Sequence, residues 1–151
     1  MTSALRSVAE RLRRTNGVLV DSNVLLDVAT DDVTWSGWSS DALAECLEYS
    51  RLFINPIIYA EVSVGFSTIE ALDVALPSDI FQRAPLPWEA GFLAGKSFLS
   101  YRKRGGTRST PLPDFYIGAH AAIANLALLT RDVARYQTYF PTLELLAPST
   151  K

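Results

Sequence analysis

Residues 17 to 27 read Gly-Val-Leu-Val-Asp-Ser-Asn-Val-Leu-Leu-Asp, an uninterrupted apolar run that ends on an acid. Val18, Leu19 and Val20 show no polar alternation and include two β-branched residues, the pattern of a short strand buried on both faces. Ser22 and Asn23 favour helix starts, and Val24, Leu25 and Val28 recur at helical spacing behind them. The chain therefore passes from strand into helix at Asp21. In an open parallel sheet that edge is where ligands bind. A lone acid there need only favour the positive end of the next helix, so Asp21 acquires meaning from what the rest of the chain brings to it.

The same pattern recurs. Leu52-Phe53-Ile54 reads as a second short buried strand, and Asn55-Pro56 caps and starts the helix behind it. Ile57, Ile58, Val62 and Gly65 form that helix's inward stripe, and Glu61 falls inside it. A carboxylate on an apolar stripe is costly unless paired or bound to a cation. Leu126 to Leu129 is a third buried strand, running into Thr130-Arg131-Asp132. Before it, Asp114 opens a helix whose Ile117, Gly118 and Ala121 allow close approach to the sheet. A helix over 133–139 and a strand over 143–146 finish the chain. Between these units the spacing predicts helices opening at Ser39-Ser40-Asp41 and running to Tyr49, over 68–76, and from Pro87 to about Arg104, with an extended segment over 79–83. The last of these helices carries Trp88, Phe92, Gly95 and Leu99 on one face. Strands alternating with helices define an α/β class with a parallel sheet.

At 151 residues the chain is one ordinary domain, and its 48% hydrophobic and 20% charged content is that of a compact globular protein. The single Cys46 lies at helical spacing with Leu43, Leu47 and Ser50, as a core thiol would in a reducing compartment. No apolar stretch is long enough to span a bilayer and no secretory signal is apparent, so a cytoplasmic protein with no membrane role is expected. Residues 1–16 place Leu5, Val8 and Leu12 opposite Arg6, Arg11, Arg13 and Arg14, predicting a helical N-terminal extension ended by Thr15-Asn16-Gly17, with the domain proper over 17–148. Asp31-Asp32 reads as a solvated loop, and Trp35 and Trp38 as core anchors.

Asp21 and Asp132 follow buried strands, Glu61 faces inward on a helix that follows a strand, and Asp114 starts a helix that precedes one. In a right-handed parallel α/β sheet these positions can converge on the same carboxyl edge. Four acids in one place cannot all ionise without a counter-charge. Oxygen ligands without a Cys or His cluster suit Mg²⁺ or Mn²⁺ better than zinc. Such ions activate water and stabilise charge developing at phosphorus during displacement at a phosphodiester. A net charge of −2 gives no bulk attraction to nucleic acid, but setting the four acids aside leaves 14 basic groups against 12 acidic, a net of +2.

Val20-Asp21-Ser22-Asn23, Tyr59-Ala60-Glu61, Pro113-Asp114-Phe115-Tyr116-Ile117-Gly118-Ala119-His120-Ala121 and Leu128-Leu129-Thr130-Arg131-Asp132 followed by Tyr139-Phe140-Pro141 resemble, in order and spacing, the acidic motifs of PIN-domain ribonucleases, closest to VapC-type toxins of bacterial toxin-antitoxin pairs. The resemblance implies a three-layer fold with a short central parallel sheet flanked by helices. It further implies a Mg²⁺- or Mn²⁺-dependent endoribonuclease, homodimeric, held inactive by a small cognate antitoxin. Asp21, Glu61 and Asp114 are then the ligands that fix the ion and orient the attacking water. Asp132 would hold a second ion or support the first, with Ser22, Asn23 and Thr130 as supporting groups. Ser22 stands where many relatives have Thr, which keeps the hydroxyl.

The dense basic run Arg102-Lys103-Arg104-Gly105-Gly106-Thr107-Arg108 leads through Thr110-Pro111-Leu112-Pro113 to Asp114, so Arg102, Lys103, Arg104 and Arg108 are the expected RNA contacts. Other readings are weaker. Ala90 to Gly95-Lys96-Ser97 matches a loosened phosphate-loop pattern but lacks the strand and glycine-rich turn it needs. A haloacid-dehalogenase-like phosphatase needs a second Asp where Asn23 stands. His120, the sole histidine, points about 240° around its helix from Asp114 and is not placed in catalysis. The remaining alternative is a PIN-like nucleic-acid or protein binding module that has lost activity.

Overall fold

The computed structural model describes residues 6–109 and 112–149. Leu5, in the N-terminal stripe, and Thr110-Pro111, in the loop before Asp114, lie outside the described residues. Five short strands, β1 (Val18–Val20), β2 (Leu52–Ile54), β3 (Phe81–Arg83), β4 (Ala127–Leu129) and β5 (Leu145–Leu146), form one sheet in the order β3-β2-β1-β4-β5. All four pairings are parallel. β1 is central, with Val18 opposite Leu52 on one side and Ala127 on the other, and all three of its residues are wholly buried. That burial on both faces is why the run carries no polar alternation.

Eight helices flank the sheet among the described residues: α1 (Val8–Leu12), α2 (Ser22–Ala29), α3 (Ser36–Tyr49), α4 (Pro56–Ser63), α5 (Ile69–Ala75), α6 (Trp88–Lys103), α7 (Pro113–Ala124) and α8 (Ala134–Tyr139). β1, β2, β3 and β4 each feed a helix at the carboxyl edge of the sheet. α7 precedes its strand, ending at Asn125 beside the start of β4, so its first turn lies at that same edge. Strands of three residues span only about 10 Å. Little sheet therefore separates the two edges.

Several boundaries and faces differ from the sequence expectation. α3 begins at Ser36, not at Ser39, because the Asp32 carboxylate accepts the backbone N–H groups of Thr34 and Trp35 at 3.0 and 2.8 Å and nucleates the helix earlier. Asp32 is thus a turn-forming residue and not merely solvated. Ser39 instead points inward, fully buried. Trp35 and Trp38 are half-buried and meet edge to face at 6.4 Å. α4 stops at Ser63, leaving Gly65 beyond the helix. Val28 and Leu47 are exposed, while Cys46 is buried and its thiol pKa is pushed up to about 12, chiefly by burial.

The face of α6 bearing Trp88, Phe92 and Leu99 looks outward, and Ala90, Ala94 and Ser97 pack inward. The Gly95-Lys96-Ser97 match lies inside this helix, where it cannot form a phosphate cradle. Two glycines mark close approaches. Gly17, at φ +147°, leaves no room for a Cβ against the Phe53 ring before β1. Gly118 admits the ring of Phe140, so the small residue on α7 serves packing against the segment that follows α8.

At the amino-terminal side, Ser7 and Glu10 form a reciprocal capping box at the start of α1. Arg11 donates to Glu144 Oε2 at 2.7 Å and to the Leu145 carbonyl, and Leu12 is buried. α1 is therefore docked against α3 and the β5 edge.

Candidate active site

The turn after β1 sets the site. Asp21 is the N-cap of α2, in extended geometry, and its Oδ1 accepts the Ser22 N–H at 2.8 Å. Its Oδ2 accepts the hydroxyls of Thr130, just past β4, at 2.8 Å and of Tyr136, on α8, at 3.0 Å. Asp21 is 4% exposed. Burial raises its pKa, the three donors pull it down in part, and the negative charge of Asp132 adds to the rise.

Ser22 links two acids: its N–H serves Asp21, and its hydroxyl donates to Glu61 Oε1 at 2.8 Å. Glu61 is half-buried on α4, with its pKa raised by burial, against the lowering effect of the Ser22 bond, and raised further by Asp21 and Asp114. Asp114 sits in the first turn of α7. Its Oδ1 lies 3.4 Å from the Tyr136 hydroxyl, and its Oδ2 lies 3.4 Å from Arg135 Nε. Its pKa is raised by burial and Asp21, lowered by Arg135, and raised again by Asp132. Among the described residues Arg135 is the one cation in a salt bridge with these acids, and it faces Asp114 from α8.

Asp132 is exposed. Its backbone N–H donates to Thr130 Oγ1 at 3.2 Å, so the residue is tied to the turn that supports Asp21. Asn23 braces the same turn, donating to Thr130 Oγ1 at 3.3 Å and accepting the Arg131 N–H at 3.2 Å. All four acids of the sequence reading, with Ser22, Asn23 and Thr130, therefore belong to one cluster at the carboxyl edge.

Among the described residues no three Asp, Glu, His or Cys side chains close into a ready cage for a metal. The donor set is nonetheless chemically suited to a hard divalent cation: oxygens only, with pKa values raised chiefly by burial and further by neighbouring acids, and with one partial counter-charge. An ion such as Mg²⁺ is commonly held by one or two carboxylates with water completing its shell, so an open cluster fits it and a closed cage is not required. Three of the roughly four lone-pair positions on Asp21 are taken by protein donors. Glu61 Oε2 has no protein donor among the described residues.

The basic run lies at the end of α6, all four side chains exposed. A block of rings joins it to the site. Tyr101 meets Phe115, the neighbour of Asp114, at 5.6 Å between centroids, and Tyr139 meets Phe115 at 5.3 Å. Arg104 lies over Tyr139, Arg135 lies over both Tyr101 and Phe115, and Arg102 donates to the Arg108 carbonyl at 2.6 Å. His120 stands apart, buried, with Nδ1 2.9 Å from Asn55 Nδ2 and its pKa lowered by burial. It locks α7 to the cap of α4.

The sequence reading missed Tyr136, Arg135 and a second buried acid, Asp27. Asp27 receives Arg131 Nε at 2.6 Å, Arg131 NH2 at 2.9 Å and Ser39 Oγ at 2.7 Å, and Arg131 also stacks on Trp35. The spacing of Tyr136 and Phe140, four apart and both buried, was the available signal for an inward face on α8.

Residues 18–140 match the PIN domain family. Among curated proteins none matches the chain in sequence. Solved structures give a shared fold. VapBC2 from Rickettsia felis, bound to a promoter DNA fragment, is similar with a TM-score of 0.68 and 17% identity over 87% of this chain and 98% of that one. VapBC-1 from nontypeable Haemophilus influenzae gives 0.65 and 20% over 86% and 96%. A toxin-antitoxin complex from Klebsiella pneumoniae gives 0.62 and 19% over 89% and 100%.

Proposed function

This chain belongs to the PIN domain family, and on that premise we propose that it is a metal-dependent endoribonuclease, the toxin of a toxin-antitoxin pair, hydrolysing RNA phosphodiester bonds in the cytoplasm. The observation that carries the reading is the convergence of Asp21, Glu61 and Asp114 on one edge, linked through Ser22 and Tyr136, with Asp132 tied in through Thr130. PIN domains are typically nucleases, and such a cluster has the donor chemistry for Mg²⁺ or Mn²⁺.

In this reading Asp21, Glu61 and Asp114 hold the ion, which when bound supplies an activated water and charge stabilisation at phosphorus. The chain's own groups do the positioning. Thr130 and the Ser22 N–H fix the rotamer of Asp21, and Ser22 Oγ fixes Glu61 Oε1, leaving Oε2 without a protein donor among the described residues and able to orient a water. Asp132, exposed on the rim, supports the cluster or holds a second ion. Arg102, Lys103, Arg104 and Arg108 bind the RNA backbone next to the site.

Residues 17–148 act as the catalytic unit, and residues 1–16 form an N-terminal extension whose helix α1 braces the β5 edge. The neighbouring folds are described as VapBC complexes, which supports a small antitoxin as partner. The outward apolar face of α6, with Trp88 94% exposed and Phe92 71%, supports a working state covered by protein, and a homodimer belongs to the same reading.

The test is cleavage of RNA by purified protein. Wild type should cut in Mg²⁺ or Mn²⁺ and stop in excess EDTA, and folded Asp114→Asn should be slowed at least 100-fold, roughly 3 kcal/mol of barrier. Native-rate cleavage by Asp114→Asn would contradict the mechanism. No cleavage by the wild type, with RNA still bound, would identify an inactive binding module instead.

A further inference from the structure

Tyr136 is 1% exposed, and its ring is held by the core. Its hydroxyl reaches out of that core to a point 3.0 Å from Asp21 Oδ2 and 3.4 Å from Asp114 Oδ1. A phenol has a single proton to donate, so it bonds Asp21 and lies within reach of Asp114 without satisfying both. Among the described residues, no other side-chain hydrogen bond ties Asp21 to the first turn of α7. Ser22 joins Asp21 to Glu61, and Asn55 with His120 joins α7 to α4, but among the described residues Tyr136 is the side chain whose hydroxyl sits between Asp21 and Asp114, within 3.4 Å of both. The hydroxyl's own place is set by packing: α8 lies against α7, and Phe140, one turn on, fills the notch at Gly118. A rigid, buried ring is a good spacer because it gives up little side-chain freedom when it makes the bond.

Two carboxylates held at a set separation bind a small divalent cation better than two that drift apart under their mutual repulsion. We propose that Tyr136 is a positioning residue that fixes the Asp21 to Asp114 spacing and thereby sets the affinity of the site for Mg²⁺ or Mn²⁺. This rests on the reading of the acids as a divalent-metal site. The contribution of Tyr136 acts through the two aspartates.

The experiment is titration of Mn²⁺ into purified protein without RNA, followed calorimetrically and by the paramagnetic resonance signal of free Mn²⁺. Tyr136→Phe keeps the ring and its packing while removing the hydroxyl, and circular dichroism checks that it is folded. Its Mn²⁺ affinity should fall about tenfold, the lower end of what loss of a ligand's hydrogen-bond partner costs. Tyr139→Phe, an equally conservative change on the same helix, should leave the affinity unchanged. Wild-type affinity in folded Tyr136→Phe would overturn the proposal. A second arm adds Tyr136→Phe to Asp114→Asn: with one aspartate's charge gone there is no charged pair left to space and only the bond to Asp21 is lost, so the further loss should be well below tenfold. A further tenfold loss there would overturn the proposal as well. Absence of Mn²⁺ binding in the wild type would show in the first titration, and would sink the metal reading itself together with this inference.

Discussion

Asp21 and Asp27 lie six residues apart, one capping α2 and the other inside it, and both are buried, at 4% and 3% exposed. They are compensated in opposite ways. Asp27 receives both arms of the Arg131 guanidinium and the Ser39 hydroxyl, so its charge is matched within the chain. Asp21 receives one N–H and two hydroxyls, all neutral, and its charged neighbours are acids. Burial alone therefore does not mark a functional acid. A missing counter-charge does, since a buried carboxylate without one is costly and persists where something from outside the chain completes it.

Exchange at the two positions should separate them cleanly. Asp21→Asn and Glu61→Gln keep shape and remove charge, and each should slow RNA cleavage at least 100-fold, about 3 kcal/mol of barrier, in single-turnover assays with folding intact. Asp27→Asn should instead cost stability, about 2 kcal/mol by urea unfolding, because Arg131 loses its partner at a half-buried site. The comparison breaks if Asp27→Asn, corrected for its folded fraction, is as slow as Asp21→Asn. Asp132→Asn tests the rim of the cluster: a loss of about tenfold, partly recovered at high metal concentration, is expected for a supporting group.

The contrast between the two aspartates was only half legible in the sequence. Asp21 stood out because its signals are local: the period of β1, the capping residues after it and the abrupt stop on an acid all fall within a few neighbours. Glu61 and Asp114 were legible for the same reason, one as an acid on an apolar stripe and the other as the opening residue of a helix. The Asp27 to Arg131 pair joins residues 104 apart, and no periodicity encodes which guanidinium will reach which carboxylate. Tyr136 was lost likewise, since its hydroxyl meets Asp21 across 115 residues. The α6 face with Trp88 and Phe92 looked like an ordinary apolar stripe, and only packing showed that its small residues, Ala90 and Ala94, were the ones turned inward. The start of α3 slipped because Asp32 captured two N–H groups before Ser39 could act as a cap.

Smaller effects sharpen the electrostatic side. Replacing Arg102, Lys103 and Arg104 by Ala should weaken RNA affinity and flatten its dependence on salt by about two in log-log slope for a single strand, without altering the metal requirement. An unchanged slope would place the RNA path elsewhere. The pH response follows from the raised pKa values of Asp21, Glu61 and Asp114. A carboxyl whose folded-state pKa is raised holds its proton more tightly when folded. Its contribution to stability is then complete below the ordinary carboxylate range and is lost as pH rises through the folded-state value. Metal-free wild type should thus lose stability relative to Asp21→Asn as pH rises above the ordinary carboxylate pKa of about 4. A difference that stays flat with pH would remove the charge argument for Asp21.

The most direct measurement sets the two aspartates side by side: the melting temperature of wild type, Asp21→Asn and Asp27→Asn with and without Mg²⁺ or Mn²⁺ at neutral pH. An ion that binds only the folded protein stabilises it by mass action, about 2.7 kcal/mol at a hundred times its dissociation constant. The account expects that upward shift in wild type and, from a lower starting temperature, in Asp27→Asn, with little or none in Asp21→Asn. Equal shifts in all three proteins would contradict it, since the ion would then be bound somewhere other than the uncompensated acid.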